Sequence, residues 1–110
     1  MITHLYNAMS GVNHKDEPGL ALLTLTDDLV TAGLIADMSH VNQKAVQLAF
    51  RAKGSKVCLV SDSMSWCSPM ALAKGMYKSK GAVRLKDGLL TGSGSSLSEC
   101  VRNAVINCGI

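Results

Sequence analysis

Residues 31–61 read TAGLIADMSHVNQKAVQLAFRAKGSKVCLVS, and this run has two apolar segments on either side of an amphipathic one. The apolar segments, residues 31–36 and 57–61, are short and nearly continuous, as buried parallel strands are. Between them, residues 41–53 carry apolar side chains at a helical period, and Gly54 is placed to end the helix. The run therefore predicts a βαβ crossover and an α/β fold.

The residues before this crossover predict two further short elements. Residues 2–6 are strand-like, and a short helix or packed loop is expected around residues 19–29, after the break at Pro18-Gly19. No internal repeat or linker divides the chain. We therefore expect residues 1–110 to form a single fragment of one domain.

The residues after the crossover are interrupted by glycines and predict less regular structure. Val83-Arg84-Leu85 before Asp87-Gly88 indicates a hairpin with a tight turn. A closing helix is expected from the apolar period near the C-terminus, with Ser96 or Ser98 as its cap. The sequence leaves the choice between the two serines open.

The composition permits a modest core and excludes several classes of protein. With 47% hydrophobic and 17% charged residues, the chain is too apolar for disorder. It has no apolar run of about 18 residues and no basic region followed by an apolar one at its start, so we expect neither a membrane span nor a signal peptide. A cytoplasmic protein without a membrane partner is the resulting prediction.

The net charge of the chain indicates which classes of ligand it could bind. Eleven Lys and Arg against eight Asp and Glu give a net charge of +3, which suits an anionic metabolite without requiring one. The four aromatic residues are not interleaved with a basic patch, so we expect no nucleic-acid partner. The four cysteines form no C-x-x-C pair and are expected to be reduced, with Cys58 packed in the core.

Several short runs, taken in order, resemble the N-acetylglucosamine-6-phosphate deacetylases of the amidohydrolase superfamily. The resemblance covers nearly the whole chain but only the C-terminal part of a family enzyme. The matching runs are Ile2–Met9, Glu17-Pro18-Gly19, Leu34–Asp37 with His40-Val41, Leu59–Met64, and Leu90–Ser93 with Val101–Val105.

The resemblance implies the last few βα units of a partial (β/α)8 TIM-type barrel. A complete barrel typically needs about 250 residues and eight βα units, and this chain has 110. Because Met1 stands directly before the first matching run, we expect a fragment or a truncated relative. An open half barrel leaves unpaired strand edges, so a homo-oligomer or association with a complementary barrel half is expected.

The resemblance also implies roles for two ionisable residues. His4 matches a ligand of the catalytic metal, which would be zinc or ferrous iron, and imidazole suits either metal. Asp62 matches the general base, which takes a proton from the attacking water and passes it to the departing amine. The alternatives are a solvated or hydrogen-bonded histidine at position 4 and a helix N-cap or turn aspartate at position 62.

Further residues match the family's contacts with an amino-sugar phosphate. His40 is implied to hydrogen-bond to the sugar phosphate, although it is equally placed to cap the helix that begins near Val41. The other implied substrate-binding residues are Asn7 and Ala8, together with a loop that closes over the ligand, Leu90, Thr91, Gly92 and Ser93.

Several departures from the family pattern count against activity of this chain alone. Asp16 stands where the family has a phosphate-binding Arg, and Lys15 would substitute only as a point charge. Met38 stands where the family has Gly. The family's metal-binding glutamate and second metal histidine belong to upstream barrel strands that the matching runs do not include.

Two hypotheses follow from these residues. In the first, the chain belongs to a hydrolase that converts N-acetylglucosamine 6-phosphate to glucosamine 6-phosphate and acetate, and it is active only when another polypeptide supplies the rest of the site. In the second, it is a noncatalytic remnant, or a module for sugar-phosphate binding or protein interaction. The first hypothesis predicts metal in a complemented assembly, and the second predicts none.

Overall fold

The chain alternates helix and strand in its first half and forms a small hairpin sheet in its second half. The computed structural model describes residues 1–110. Its helices are α1 (Leu20–Thr26), α2 (Gln43–Lys53), α3 (Pro69–Ala73) and α4 (Leu97–Cys108), and a single 3-10 turn spans Gly54–Lys56. Its strands are β1 (Ala32–Ile35), β2 (Val57–Val60), β3 (Tyr77–Ser79), β4 (Ala82–Arg84) and β5 (Leu90–Ser93).

The predicted βαβ crossover is confirmed. Strands β1 and β2 pair in parallel from Ala32↔Val57 to Ile35↔Val60, and α2 connects them. The side chain of Asn42 caps α2 by accepting a hydrogen bond from the Ala45 amide at 3.0 Å. Gly54 follows the helix with a φ of 51°, a conformation that glycine adopts readily.

Strand β2 is more exposed than its sequence predicts. All four residues of β1 are buried, whereas no residue of β2 is fully buried and Cys58 is exposed. In the sheet, β2 pairs with β1 on one side only. The prediction that Cys58 packs in the core is therefore wrong, because no element covers that position.

The expected strand over residues 2–6 is also wrong. Only Ile2 bridges to Ala32, and the chain then turns instead of extending. The backbone φ angles of His4 and Tyr6, 37° and 76°, are incompatible with an extended strand. The fully buried Leu5 nevertheless holds this turn against β1, and its amide donates to the Gly33 carbonyl at 2.7 Å.

Strands β3, β4 and β5 form an antiparallel sheet that includes the predicted hairpin. At its turn the Leu89 amide donates to the Asp87 carboxylate at 2.9 Å, and Gly88 has a φ of 89°. A parallel bridge between Ser63 and Ser93 joins this sheet to the chain that follows β2.

The helices at both ends of the chain are confirmed. Helix α1 begins directly after Gly19, as the Pro18-Gly19 break predicts. Ser96, not Ser98, caps α4, and the capping box is completed by Glu99. The larger core cluster packs α1, α2, β1 and the N-terminal turn together, and its fully buried members include Leu5, Leu34, Val46 and Ala49.

The α/β class is thus confirmed, with one parallel pair and one antiparallel sheet. None of the helices combines the length and the apolar character that a membrane crossing requires.

Candidate functional site

His4 and Asp62 line the same cavity, which has a volume of about 170 Å³. Asp62 follows the carboxyl end of β2, and His4 follows the residue that bridges to β1. Because the two strands run in parallel, the segments that flank them meet at this cavity. The remaining lining residues are Met1, Thr3, Gly33 and Val60.

The imidazole of His4 is oriented by its own turn. Nδ1 lies 3.0 Å from the carbonyl oxygen of Asn7. A carbonyl oxygen only accepts hydrogen bonds, so in the neutral ring Nδ1 carries the proton and Nε2 keeps its lone pair. This is the arrangement of metal-ligating histidines, whose second nitrogen is usually held by a carbonyl or carboxylate.

The side chain of Asp62 is exposed, and its carboxylate accepts no hydrogen bond from the chain. It does not cap a helix, because α3 begins later and has Ser68 as its N-cap. The carboxylate therefore has both oxygens available to a ligand or a water molecule.

Left-handed backbone conformations are concentrated in the segments that carry candidate site residues. Outside glycine such conformations are uncommon, and they cluster at functional sites. His4 has a φ of 37° and Asp62 one of 46°. The other non-glycine residues with positive φ are Tyr6, Ala8, Met38 and Lys80.

The cavity contains one histidine with a free ring nitrogen but not a complete metal site. A catalytic zinc usually has three protein ligands and one open position. Nowhere in the structure do three His, Cys, Asp or Glu side chains lie close enough to hold a metal together. His4 fits the role of one ligand, and the residues of this chain alone do not supply the others.

His40 lies beside Asp37, a pairing that the sequence interpretation missed. His40 Nδ1 is 2.7 Å from Asp37 Oδ2, and the carboxylate side chain is fully buried. The other oxygen, Oδ1, accepts from the amides of Ser39 and His40, each at 2.9 Å. Asp37 follows the carboxyl end of β1 as Asp62 follows that of β2, and this equivalence is the signal that could have revealed it.

The helix-cap alternative for His40 is wrong, because Asn42 caps α2. The ring is mostly buried at 9% exposure, and its Nδ1 is engaged by Asp37. His40 does not line the cavity of His4 and Asp62.

Asn7 and Ala8 continue the turn that holds His4. The side-chain amide of Asn7 donates to the Leu5 carbonyl at 3.3 Å, so part of this side chain supports the turn. Ala8 is exposed and has a φ of 52°. Burial raises the pKa of the neighbouring Tyr6, whose hydroxyl donates to the Ala45 carbonyl at 2.9 Å.

Leu90, Thr91, Gly92 and Ser93, expected as a loop, form strand β5. Gly92 lies against the Met64 side chain, which would have to move for any larger residue, since a Cβ there would lie 2.7 Å from the Met64 sulfur. Ser93 is fully buried, and its hydroxyl accepts from the Ser95 amide at 3.2 Å. The Ser93 amide donates to the Asp62 carbonyl at 3.3 Å, which fastens β5 to the candidate base.

The departures from the family pattern have distinct structural settings. Met38 has a φ of 63°, a conformation that glycine adopts without steric cost. Lys15 and Asp16 are exposed in the loop before α1, and neither forms an ion pair. Lys15 does not line the cavity of His4 and Asp62.

Known proteins similar to this chain include deacetylases of two N-acetylated amino-sugar phosphates, although no family model matches the chain. The N-acetylglucosamine-6-phosphate deacetylase of Bacillus subtilis is 41% identical over 111 residues, which cover 93% of this chain and 27% of the relative. The putative N-acetylgalactosamine-6-phosphate deacetylase of Escherichia coli K12 is 33% identical over 115 residues, covering 97% of this chain and 66% of the relative.

Among solved structures, N-acetylglucosamine-6-phosphate deacetylase from Pasteurella multocida matches with a TM-score of 0.83 at 30% identity. The match covers 98% of this chain and 30% of that structure. The chain thus spans less than a third of the Bacillus relative and of this solved structure. Sequence and fold agree that the chain belongs to the N-acetylglucosamine-6-phosphate deacetylase family, as a C-terminal part of the family enzyme.

Proposed function

We propose that this chain contributes to the hydrolysis of the N-acetyl amide of an amino-sugar phosphate, releasing acetate and, from N-acetylglucosamine 6-phosphate, glucosamine 6-phosphate. The observation that carries the proposal is the shared cavity of His4 and Asp62. It pairs a histidine with a free Nε2 and a carboxylate without an internal partner. The activity in the names of the relatives supports the same reaction.

The fold proposed for the working enzyme is a (β/α)8 barrel to which this chain supplies βα units. The parallel pairing of β1 and β2 through α2 is the repeating unit of such a barrel. Active sites of these barrels lie at the carboxyl ends of the strands. Asp37 and Asp62 follow those ends, which supports the assignment.

In the complete site, His4 would be one ligand of a zinc or ferrous ion through Nε2. The remaining ligands must come from residues outside those described here, in a longer polypeptide or a partner. When bound, a divalent metal would lower the pKa of the attacking water, so that this water can lose its proton and become a nucleophile near neutral pH.

Asp62 is proposed to move the proton that amide hydrolysis requires. Its carboxylate accepts a proton from the attacking water. The resulting carboxylic acid then donates that proton to the amide nitrogen as the C–N bond breaks. Without this transfer the amine would leave as an unstable anion. The exposed, unpartnered carboxylate of Asp62 is free to perform both steps.

The substrate contacts are proposed for His40 and for the segments around Asn7, Ala8 and Thr91. The bond from Nδ1 to Asp37 leaves the Nε2 of His40 to accept a hydrogen bond from a sugar hydroxyl. Thr91 is exposed on β5 and stands on the strand fastened to Asp62. The Lys15→Gln variant tests whether Lys15 contributes a positive charge to phosphate binding. If it does, the variant should raise KM and leave kcat unchanged.

The unpaired side of β2 supports association with a complementary barrel half, or with a second copy of the chain. An unpaired strand offers a row of backbone donors and acceptors to another strand. We propose a cytoplasmic location for the working assembly, in line with its phosphorylated metabolite substrate.

The decisive experiment measures deacetylation by the purified chain, alone and mixed with the N-terminal portion of the Bacillus relative, with zinc or ferrous iron. N-acetylglucosamine 6-phosphate and N-acetylgalactosamine 6-phosphate are both assayed, because relatives carry both names. Activity is expected only in the mixture. Asp62→Asn should abolish it, whereas Asp28→Asn, at another exposed aspartate, should not.

Metal content of the purified mixture gives a second readout. The proposal predicts bound metal that decreases in His4→Ala. An inactive, metal-free mixture of two folded components would contradict it and favour the noncatalytic alternative.

A further inference from the structure

A second cavity, with a volume of about 410 Å³, lies where α4 meets the β3–β4 turn and the loop after β1. It shares no lining residue with the cavity of His4 and Asp62. Three cationic side chains line it, Lys78, Lys80 and Arg102. Only two of the lining residues are hydrophobic, so the cavity suits a polar ligand.

The two acidic residues on the wall are already satisfied. Asp37 uses both carboxylate oxygens on Ser39 and His40. Glu99 accepts from the Ser96 amide at 2.6 Å and lies 4.0 Å from Lys78. Hydrogen bonds from the Ser96 backbone and side chain lower the pKa of Glu99, and the nearby positive charge of Lys78 lowers it further.

Lys80 and Arg102 are left without an ion pair. Both are exposed, and both line the cavity. An arginine presents a planar fork of donors that matches a phosphate, and a lysine adds a mobile point charge. With three cations against two carboxylates, the cavity has a net positive charge.

The walls of this cavity are held in place by hydrogen bonds. Asn103 donates to the Ala36 carbonyl at 3.0 Å, which ties α4 to the end of β1. The Ser39 hydroxyl donates to the Lys80 carbonyl at 2.5 Å, which ties the β3–β4 turn to the same loop. At Gly81 a Cβ would lie 2.8 Å from the Asp37 carbonyl oxygen, so the turn and the loop are in close contact.

We propose that this cavity is a binding site for a small phosphorylated metabolite, separate from the candidate catalytic site. Arg102 and Lys80 bind the phosphate group. Ser95 and Asn107 offer polar atoms to the rest of the molecule. The volume lies in the range of roughly 300 to 1,000 Å³ that is typical of small-molecule sites, which leaves room for a sugar-sized group beside the phosphate.

The test is a titration of the isotope-labelled chain, followed by amide NMR, with glucose 6-phosphate, inorganic phosphate and glucose as separate probes. Glucose 6-phosphate should give saturable shifts at Gly81, Ser95 and Asn103, and none at His4 or Asp62. Arg102→Gln and Lys80→Asn should each weaken binding by about tenfold or more, since contacts to charged groups are among the strongest polar contacts.

The variants are chosen to keep the fold. Asparagine tolerates the left-handed backbone of Lys80, whose φ is 48°. The matched control is Arg51→Gln, at an exposed arginine of α2 that does not line the cavity. It should bind glucose 6-phosphate as the unchanged chain does.

Each outcome of the titration either supports or contradicts the proposed phosphate site. Binding of inorganic phosphate as tight as that of glucose 6-phosphate, with the same sensitivity to Arg102→Gln, supports the phosphate site with free phosphate as the source. Four results would overturn the proposal. Glucose could bind as tightly as glucose 6-phosphate, or Arg51→Gln could weaken binding as much as Arg102→Gln does. The shifts could also be confined to the His4 cavity, or no binding could be detected at millimolar concentration. None of these results depends on deacetylase activity, so failure of the proposed function leaves the test unaffected.

Discussion

Replacement of Asp37 tests whether this buried carboxylate holds His40 in its orientation. The side chain has no solvent exposure and accepts three hydrogen bonds, two from backbone amides at 2.9 Å and one from the His40 imidazole at 2.7 Å. Asp37→Ala removes both acceptor oxygens and with them all three hydrogen bonds. Asp37→Asn keeps the oxygen that the amides use and replaces the other with an NH2 group.

The two variants should differ in magnitude. In Asp37→Ala three donors lose their partner, and each loss costs about 1 kcal/mol, so the free energy of unfolding should decrease by about 3 kcal/mol. A domain of this size has about 5–15 kcal/mol of stability, so the variant should still fold. In Asp37→Asn the imidazole must present a lone pair at Nδ1, and the loss should be about 1 kcal/mol.

Urea unfolding gives the stabilities, and nitrogen NMR of the imidazole gives the position of its proton. In the unchanged chain the His40 proton lies on Nδ1, and in Asp37→Asn it should move to Nε2. Asp28→Asn, at an exposed aspartate, is the control and should change neither quantity. A loss below about 0.5 kcal/mol in Asp37→Ala, within the range of ordinary surface substitutions, would refute the reasoning, as would an unchanged ring proton in Asp37→Asn.

Three further predictions concern α4 and the thiols. Ser96→Ala removes the cap of α4 and should cost about 1 kcal/mol in urea unfolding; no loss would contradict the capping geometry. The folded state lowers the pKa of Glu99 below its ordinary value of 4.5, so its contribution to stability is complete above that value and is lost as the pH falls through the folded-state pKa. The stability difference between the unchanged chain and Glu99→Gln should therefore shrink on acidification, and a constant difference would argue against it. An aromatic disulfide reagent should label Cys58 and Cys67 quickly in the folded chain, and label the other two thiols only after unfolding, because burial raises the pKa of Cys100 and Cys108.

The sequence predicts the parts of the fold that follow from periodicity and local capping. The helical period before Gly54 and the apolar runs around it are sufficient to place β1, α2 and β2. The serine and glutamate at the start of α4 form a local capping box that needs no tertiary partner. Such signals are contained within a few residues, so a single sequence reveals them.

Features that depend on distant residues were not predictable in the same way. An apolar run at Ile2 indicated a strand, but positive φ angles at His4 and Tyr6 turn the chain back, and no local rule requires them. Cys58 has the sequence setting of a core residue, and only the absence of a covering element exposes it. The resemblance to the deacetylase family identifies His4 and Asp62 as candidate site residues. That the two residues line one cavity depends on the pairing of β1 with β2.

The backbone bonds between β5 and the segment after β2 have a mechanical consequence. The Ser93 amide donates to the Asp62 carbonyl, and the Ser93 carbonyl accepts from the Met64 amide. Any displacement of β5 must either break this pair of bonds or carry the Asp62 backbone with it. The Ser93 end of β5 and the backbone of Asp62 are therefore coupled as long as both bonds persist, and a molecule that displaces one also displaces the other.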